Sequence, residues 1–310
     1  MSAGRRRRSY SSESKGIAAR LREAWNLAAA LLHDVDAGVD LELMRLRRVE
    51  EAVVEETGLV MRDLDVLDVG AGQLLLGMMY FGRGNRVVGI DQNVIAQGFD
   101  PLVYWRMLRA NGPDRVLKTL ARKALGIDRR YRRRFTRLVG LERVPPLRVL
   151  EMDAGAMTFD SGSFDLVYSL LVLQHVQEPA RVLHEVARVV RPGGVAYLDF
   201  TVYTAPTGAL DVRALGGRST TLPPWAHLRS GVRDQVQESA YLNRLRLPEW
   251  EVLFAEIMPG AVKRLSQAEL EEYEPEAQRL RESGELSEYS LEELLTTNAA
   301  FIWRKTAAAT

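Results

Sequence analysis

The sequence predicts an α/β fold in which a mainly parallel sheet is covered by helices. Short apolar segments such as VLDV (66–69) and RVVGI (86–90) alternate with segments of helical periodicity. This alternation is typical of parallel strands joined by right-handed helical crossovers. Glycines and acids also stand directly after the first two strands, which is where folds of this class place a ligand.

Length and composition are those of one globular domain with additions. The chain has 310 residues, of which 46% are apolar and 27% charged, and this composition is typical of a soluble protein. It has no cysteine, which excludes disulfides and thiolate metal sites and suits a reducing cytoplasm. No apolar run approaches the roughly 18 residues of a membrane span, so we expect a cytoplasmic protein.

The first 58 residues precede the predicted sheet. Residues 1–16 carry Arg5 to Arg8 and few apolar side chains, so they are predicted to form a flexible basic tail. Residues 17–58 have apolar positions at helical spacing and are predicted to form two amphipathic helices broken near Asp36 to Gly38. The remaining residues, 59–310, form the main domain.

The segments VLDVGAG (66–72) and RVVGID (86–91) indicate which ligand the sheet binds. Glycine lets the backbone approach a ligand, and an acid at the second strand tip can accept hydrogen bonds from both ribose hydroxyls. A dinucleotide site needs a third glycine at position 75, where this chain has Leu. Asp68 would repel a pyrophosphate but suits an ammonium group. S-adenosylmethionine has an ammonium group, a ribose and an adenine, and no phosphate.

With this motif the chain resembles the class I S-adenosylmethionine-dependent methyltransferases of the small-molecule type, which carry a D-x-G-x-G first motif. The resemblance covers about residues 60–204 and implies a Rossmann-like seven-stranded sheet of order 3-2-1-4-5-7-6 with the last strand antiparallel. It implies that the helices of residues 17–58 form a cap over the cleft, although packing against the sheet edge is equally compatible with them. The residues that it places at the cofactor are Asp68, Gly70, Ala71, Gly72, Asp91, Gln92, Asp153, Ala154 and Leu170.

A basic helical insertion is predicted for residues 99–146, because the third strand, LRVLEM (147–152), begins much later than a compact crossover requires. Residues 100–148 hold 14 Lys or Arg against four acids, a net charge of +10, whereas the whole chain is +1. We interpret the insertion as a dock for a phosphorylated acceptor or an anionic membrane surface. A solvated basic face that pairs with the acidic C-terminal region is the alternative.

The fourth strand, FDLVYS (164–169), is followed by the place where the resemblance puts the reacting methyl group. Family members that methylate nucleobase or glutamine amines carry Asn or Asp and two prolines here. The sequence Ser169 to Val172, SLLV, therefore argues against those acceptors. His175 comes next and is a candidate general base, although it is equally suited to packing.

Residues 205–247 are predicted to form a lid insertion, because they mix glycines, prolines and aromatic residues. Trp225 is suited to stacking on a flat or sugar-like acceptor, and His227 is a second candidate base. Arg229 and Tyr203 complete the candidate acceptor site. Packing of Trp225 and His227 between lid and body is the alternative. No metal site is expected, since the spacing of the histidines matches none.

The segments after the fourth strand complete the alternation of strands and helices. They are a helix at 178–190, a strand at 195–203, a helix at 248–258, a strand at 261–265, an acidic helix at 267–281 and a strand at 298–305.

These features predict a methyltransferase that transfers a methyl group by in-line displacement to an oxygen of a sugar-like or other polar small molecule. N- or C-methylation of a small metabolite stays open. So does a cofactor-binding protein without catalysis, since Leu74 replaces the third glycine of the family motif. The expected partners are a small-molecule acceptor, phosphate-linked in one interpretation, and a membrane surface contacted peripherally in another. A homodimer is left open, and no nucleic acid is expected because no reading motif accompanies the basic segment.

Overall fold

The computed structural model describes residues 35–211, 222–238, 240–267 and 270–306. The strands in these ranges are β1 (Asp65–Val69), β2 (Arg86–Asp91), β3 (Arg148–Glu151), β4 (Phe164–Leu170), β5 (Val190–Thr201), β6 (Val262–Ser266) and β7 (Asn298–Arg304). The helices are α1 (Val35–Thr57), α2 (Leu76–Phe81), α3 (Pro101–Asn111), α4 (Pro113–Ala124), α5 (Ile127–Leu138), α6 (Pro179–Val189), α7 (Leu247–Ile257), α8 (Leu270–Glu282) and α9 (Leu291–Leu295). None of these helices is long and apolar enough to cross a membrane.

All seven strands belong to one sheet of order β3-β2-β1-β4-β5-β7-β6. The strands β1 to β5 pair in parallel, and β7 runs antiparallel to both β5 and β6. The predicted Rossmann-like sheet and its strand order are therefore confirmed. In the register of β1, Asp68 lies opposite Gly89 of β2 and Tyr168 of β4, so the carboxyl ends of these three strands lie side by side.

Both faces of the sheet are covered, as expected for parallel strands made of continuous apolar runs. One face packs on α6 and α7, where the ring of Phe254 stacks on that of Phe301 with centroids 3.9 Å apart. The other face packs on α1, α2 and α5. This second face carries Tyr168 and borders the ligand end of β1 and β4.

Helix α1 is described from Val35 onward, beside the predicted break. Gly38 lies in the first turn of α1, where a Cβ atom would be only 2.5 Å from the hydroxyl of Tyr131 on α5. The glycine therefore permits close helix packing. Asp36 to Gly38 are helical, and the chain on the other side of the predicted break, before Val35, lies outside the described residues. The predicted flexible tail and the first of the two predicted N-terminal helices lie outside the described residues.

The insertion between β2 and β3 consists of α3, α4 and α5, which confirms that it is helical. Some of its bases pair with acids close by in the fold. The guanidinium of Arg134 lies 2.8 Å from Asp36 of α1, and that of Arg106 lies 2.7 Å from Glu151. These two ion pairs join the insertion to α1 and to β3, and not to the acidic helix α8.

Candidate cofactor site

A cavity of about 490 Å³ lies at the carboxyl ends of β1 to β4, within the range of roughly 300 to 1,000 Å³ that is usual for small-molecule sites. The residues that form its walls include Gly70, Gly72, Asp91, Gln92, Asn93, Arg115, Asp153, Ala154, Leu170, Leu171, Val172, His175, Arg181 and Tyr241. All the predicted cofactor residues except Asp68 and Ala71 are therefore brought together here.

Asp91, at the tip of β2, holds the loops on both sides of the cavity. One carboxylate oxygen accepts a hydrogen bond from the backbone N–H of Gly72 at 3.1 Å, and the other accepts from the backbone N–H of Asn93 at 2.7 Å. Asn93 is fixed in turn by Asn111 of α3, whose amide donates to it at 3.0 Å. The side-chain amide of Asn93 donates a third hydrogen bond to Asp91 at 3.1 Å. A carboxylate has about four acceptor positions, so Asp91 can still accept a hydrogen bond from a ligand diol.

The two glycines of the β1 turn are required for different reasons. Gly70 has a φ of +84°, and a Cβ atom there would overlap the side chain of Val172, so this glycine serves the close approach of two protein segments. Gly72 has a φ of +63°, and its nearest neighbour to a Cβ would be the carbonyl of Gly70 at 3.9 Å. Only the second glycine leaves space for a ligand.

Asp68 lies beneath this turn and not in the cavity wall. The residue is 5% exposed, and its carboxylate accepts a hydrogen bond of 2.6 Å from the hydroxyl of Tyr168. Gly77 of α2 permits the pair, since a Cβ there would lie 2.6 Å from the same hydroxyl. Burial raises the pKa of Asp68 to about 7, and no basic side chain pairs with it among the described residues. The expectation that Asp68 faces a ligand directly is therefore corrected.

The other end of the cavity is formed by the loop after β3. Asp153 is exposed at the rim, and its Oδ1 accepts a hydrogen bond from the N–H of Gly155 at 2.8 Å. Ala154 adds a small apolar side chain to the wall, and Arg181 closes it from α6. Ala71 is absent from the wall, because it lies between the glycines with its N–H bonded to the carbonyl of Ile90 at 3.0 Å.

The insertion holds the turn that follows the glycines. Arg132 of α5 donates to the carbonyl of Leu74 at 3.1 Å, and Leu75 has a left-handed φ of +59°. A left-handed conformation costs a non-glycine residue roughly 1 to 2 kcal/mol. Leu75 thus adopts a backbone conformation that glycine usually adopts, and Arg132 of the insertion stabilises this turn through its hydrogen bond to Leu74.

The segment after β4 places His175 in the cavity wall. Its Nδ1 lies 2.8 Å from the backbone carbonyl of Tyr241, so Nδ1 carries the proton and Nε2 is the acceptor nitrogen. Burial lowers the pKa of His175, which favours the neutral imidazole. The N–H of Leu171, which has a left-handed φ of +58°, donates to the carbonyl of Asp199 at 2.9 Å. The strained turn thereby holds the wall against β5.

Trp225 and His227 are not in this site. Trp225 is fully buried, and its indole N–H donates to the carbonyl of Leu294 at 3.1 Å. Nε2 of His227 lies 2.7 Å from the carbonyl of Tyr203, and burial lowers the pKa of this histidine to about 4. The predicted roles in stacking and proton transfer are wrong for these residues, because both pack the lid segment onto the body.

Arg229 and Tyr203 are likewise turned away from the cavity. The guanidinium of Arg229 lies 3.0 Å from the carboxylate of Glu285, and the ring of Tyr203 packs edge-on against His227 at 4.9 Å. Neither lines the wall.

The wall residues that had no predicted role at the cofactor include Asn93, Arg115 and Tyr241. The Asp-x-Asn spacing at the tip of β2 could have indicated Asn93, since Asp and Asn side chains readily form hydrogen bonds to the backbone two residues away. Nothing in the sequence distinguishes Arg115 from the other bases of the insertion. Tyr241 reaches the wall because Asn243 donates to the carbonyls of Leu173 and Val176 at 2.8 and 3.1 Å.

Comparison with known proteins matches residues 110–198 to a family model described as a methyltransferase domain. An uncharacterized methyltransferase of Mycobacterium sp. (strain JLS) is 39% identical over 61 residues, which are 20% of this chain and 24% of that protein. A phosphatidylethanolamine N-methyltransferase of Cereibacter sphaeroides is 32% identical over 112 residues, 36% of this chain and 48% of that protein. This chain thus spans about a quarter of the mycobacterial protein and half of the other.

Among solved structures, phosphoethanolamine N-methyltransferase 2 of Haemonchus contortus in complex with S-adenosyl-L-methionine is 15% identical to this chain. The alignment covers 82% of this chain and 51% of that one, with a TM-score of 0.45.

Proposed function

We propose that this chain, which carries a methyltransferase domain, binds S-adenosylmethionine in the cavity at the ends of β1 to β4 and transfers its methyl group to a small polar acceptor. The observation that carries the proposal is the convergence of Gly72, Asp91, Asp153 and Leu170 on one cavity. These residues come from four strand ends that lie far apart in the sequence.

The wall residues fit the parts of this cofactor. Asp91 accepts hydrogen bonds from two backbone N–H groups and from the amide of Asn93, and it retains about one acceptor position for a ribose hydroxyl. Asp153 at the rim can accept a hydrogen bond from an exocyclic amine, and Ala154 leaves room for a flat base. Position 75, where a dinucleotide site needs glycine to bring a helix N-terminus to the pyrophosphate, is Leu, so a dinucleotide fits less well.

Asp68 supplies negative charge beneath the part of the cavity formed by Gly70 and Gly72. A buried carboxylate without a basic partner is costly to ionise, which is why its pKa is raised to about 7. A cation in the cavity favours the ionised form of Asp68, and the ammonium group of the cofactor is such a cation. We therefore assign Asp68 an electrostatic role without direct contact.

When bound, S-adenosylmethionine supplies a methyl group on a sulfonium leaving group. The protein's walls orient the acceptor, and this alignment lowers such a barrier by about 7 to 11 kcal/mol. We assign His175 the role of base at Nε2, because Nδ1 is committed to the carbonyl of Tyr241. Nε2 lies 3.4 Å from the amide nitrogen of Gln174, so an attacking hydroxyl must displace that amide to be deprotonated. A positioned base of this kind contributes a factor of roughly 10² to 10⁴ in rate.

The acceptor that we propose is an oxygen of a sugar-like or other polar small molecule. Its support is the neutral imidazole of His175 together with the polar wall residues Arg115 and Tyr241. The guanidinium of Arg115 also suits a phosphate-linked acceptor. Arg129, Arg130 and Arg133 of the insertion are exposed on α5 and do not line the cavity, so they do not support a phosphate site there.

Methylation of an amine is the second candidate, favoured by the sequence similarity to a phosphatidylethanolamine N-methyltransferase. The test is transfer of a labelled methyl group from S-adenosylmethionine to hydroxyl and amine acceptors, with mass spectrometry of the product. Transfer to a hydroxyl supports the first proposal, and transfer to an amine supports the second. Binding of the cofactor without transfer to any acceptor supports the cofactor-binding alternative.

A further inference from the structure

The outer side of α3 exposes apolar side chains to solvent. Met107 is buried on the inner side, where it packs on Val94. On the outer side Leu102 is 72% exposed and Trp105 is 52% exposed, and Phe99 just before the helix is 68% exposed. A helix packed on one side normally turns polar residues to water, so this surface indicates an apolar environment outside the protein.

The ring of Trp105 is also stacked with a basic side chain. The guanidinium of Arg109 lies 4.2 Å from the centre of the indole ring. Tryptophan and arginine both combine an apolar body with a polar or charged end, and both are favoured where hydrocarbon meets water. The pair therefore suits the headgroup region of a lipid bilayer better than bulk solvent.

Helix α5 adds positive charge that the protein does not neutralise. Its exposed bases, Arg129, Arg130, Arg133 and Arg137, have no carboxylate partner within the part of the chain that the structure describes. Arg134 of the same helix, by contrast, pairs with Asp36 of α1 at 2.8 Å. Helix α4 packs on both α3 and α5, so one helical unit carries both the apolar surface and the four exposed arginines.

We propose that the helical insertion docks this protein on the surface of an anionic lipid bilayer. Leu102 and Trp105 enter the headgroup region, and the exposed arginines of α5 face the lipid phosphates. Lasting attachment to a membrane usually requires two such signals, one apolar and one basic. Duplex nucleic acid would use the arginines but gives no reason for an exposed leucine in the same insertion.

The test measures co-sedimentation of the full-length protein with vesicles of phosphatidylcholine, with and without phosphatidylglycerol. We expect binding only to the vesicles that contain phosphatidylglycerol. The triple variant Arg129→Gln, Arg130→Gln and Arg133→Gln should bind about a hundredfold more weakly, since each arginine near such a surface contributes roughly fivefold. The variant Leu102→Ser should also bind more weakly while keeping its charge.

The matched control is the triple variant Arg47→Gln, Arg62→Gln and Arg233→Gln, which loses the same charge from exposed positions elsewhere and should bind like the wild type. Equal loss in both triple variants would show general charge attraction and overturn the proposal. Unchanged vesicle binding by the α5 variant would also overturn the proposal. It would assign the binding to Arg5 to Arg8, which lie outside the described residues.

A second measurement tests the insertion of α3 into the bilayer independently of charge. Brominated lipid should quench part of the fluorescence of the wild type and less of that of Trp105→Phe. The same quenching in both proteins would refute the insertion of α3. Preference for duplex DNA over vesicles, or self-association through this surface, would replace the bilayer by another partner. These readouts do not depend on methyl transfer, so their failure leaves the proposed function untouched.

Discussion

Replacement of Asp68 by asparagine tests how this buried carboxyl affects both the stability of the protein and its cofactor binding. Burial raises the pKa of Asp68 from its usual 3.8 to about 7 in the folded protein. The free energy of unfolding is therefore highest below the unfolded pKa of 3.8, where Asp68 is protonated. It decreases as the pH rises from there through 7, because ionised Asp68 is less stable in the folded protein than in the unfolded one. A difference of about three pKa units corresponds to about 4 kcal/mol in all, of which about 2 to 3 kcal/mol falls between pH 5 and pH 8.

The amide introduced by Asp68→Asn can still accept the hydrogen bond from the hydroxyl of Tyr168, but it does not titrate. Urea denaturation should therefore show that the wild type loses about 2 to 3 kcal/mol of unfolding free energy relative to Asp68→Asn between pH 5 and pH 8. Asp160→Asn, at an exposed site, is the control and should follow the wild type. Parallel pH profiles for the wild type and Asp68→Asn would refute the raised pKa.

The same variant tests the electrostatic role in binding. Two opposite charges about 8 Å apart attract by roughly 2 kcal/mol at an effective dielectric constant of about 20, so Asp68→Asn should bind S-adenosylhomocysteine about ten to a hundredfold more weakly at pH 8. The affinity of the wild type should rise as the pH increases through 7, because Asp68 then ionises, and that of the variant should not. Equal affinities would remove Asp68 from the cofactor site.

Four further substitutions test other residues of the site and the fold. Asp91→Asn should weaken S-adenosylhomocysteine binding by roughly ten to a hundredfold in calorimetry, through loss of a charged acceptor for the ribose. His175→Asn should lower turnover by about 10² to 10⁴ with little change in cofactor affinity, since its amide can still donate to the neighbouring carbonyl; unchanged turnover would exclude the base. Gly70→Ala should destabilise the fold by at least about 1 to 2 kcal/mol in urea denaturation, from its positive φ and its overlap with Val172. Trp225→Phe should cost about 1 kcal/mol through the lost indole hydrogen bond and leave turnover unchanged, and a large loss of turnover would return this residue to the acceptor site.

The strands and their order were predictable because the sheet is buried on both faces. Continuous apolar runs such as residues 66–69 leave little choice of secondary structure, and the observed β1 and β2 lie close to the predicted limits. The wall residues Gly72, Asp91 and Asp153 followed from their places at strand ends, since the carboxyl ends of parallel strands meet at one edge.

The direction of individual side chains was not predictable in the same way. Asp68 was assigned correctly to a strand end, but its carboxylate turns to Tyr168 because Gly77 lets α2 come close, a contact between residues that periodicity does not reveal. Trp225 is buried by the segment around Leu294, far away in sequence. Long-range packing of this kind decides which polar and aromatic residues of an irregular segment reach a cavity.

The most direct test of the central claim is titration calorimetry of the purified protein with S-adenosylhomocysteine, alongside NADH. We predict binding of one S-adenosylhomocysteine per chain, weakened by Asp91→Asn, and no comparable binding of NADH. Absence of heat with S-adenosylhomocysteine, or tight binding of NADH in its place, would contradict the assignment of the cavity at the ends of β1 to β4.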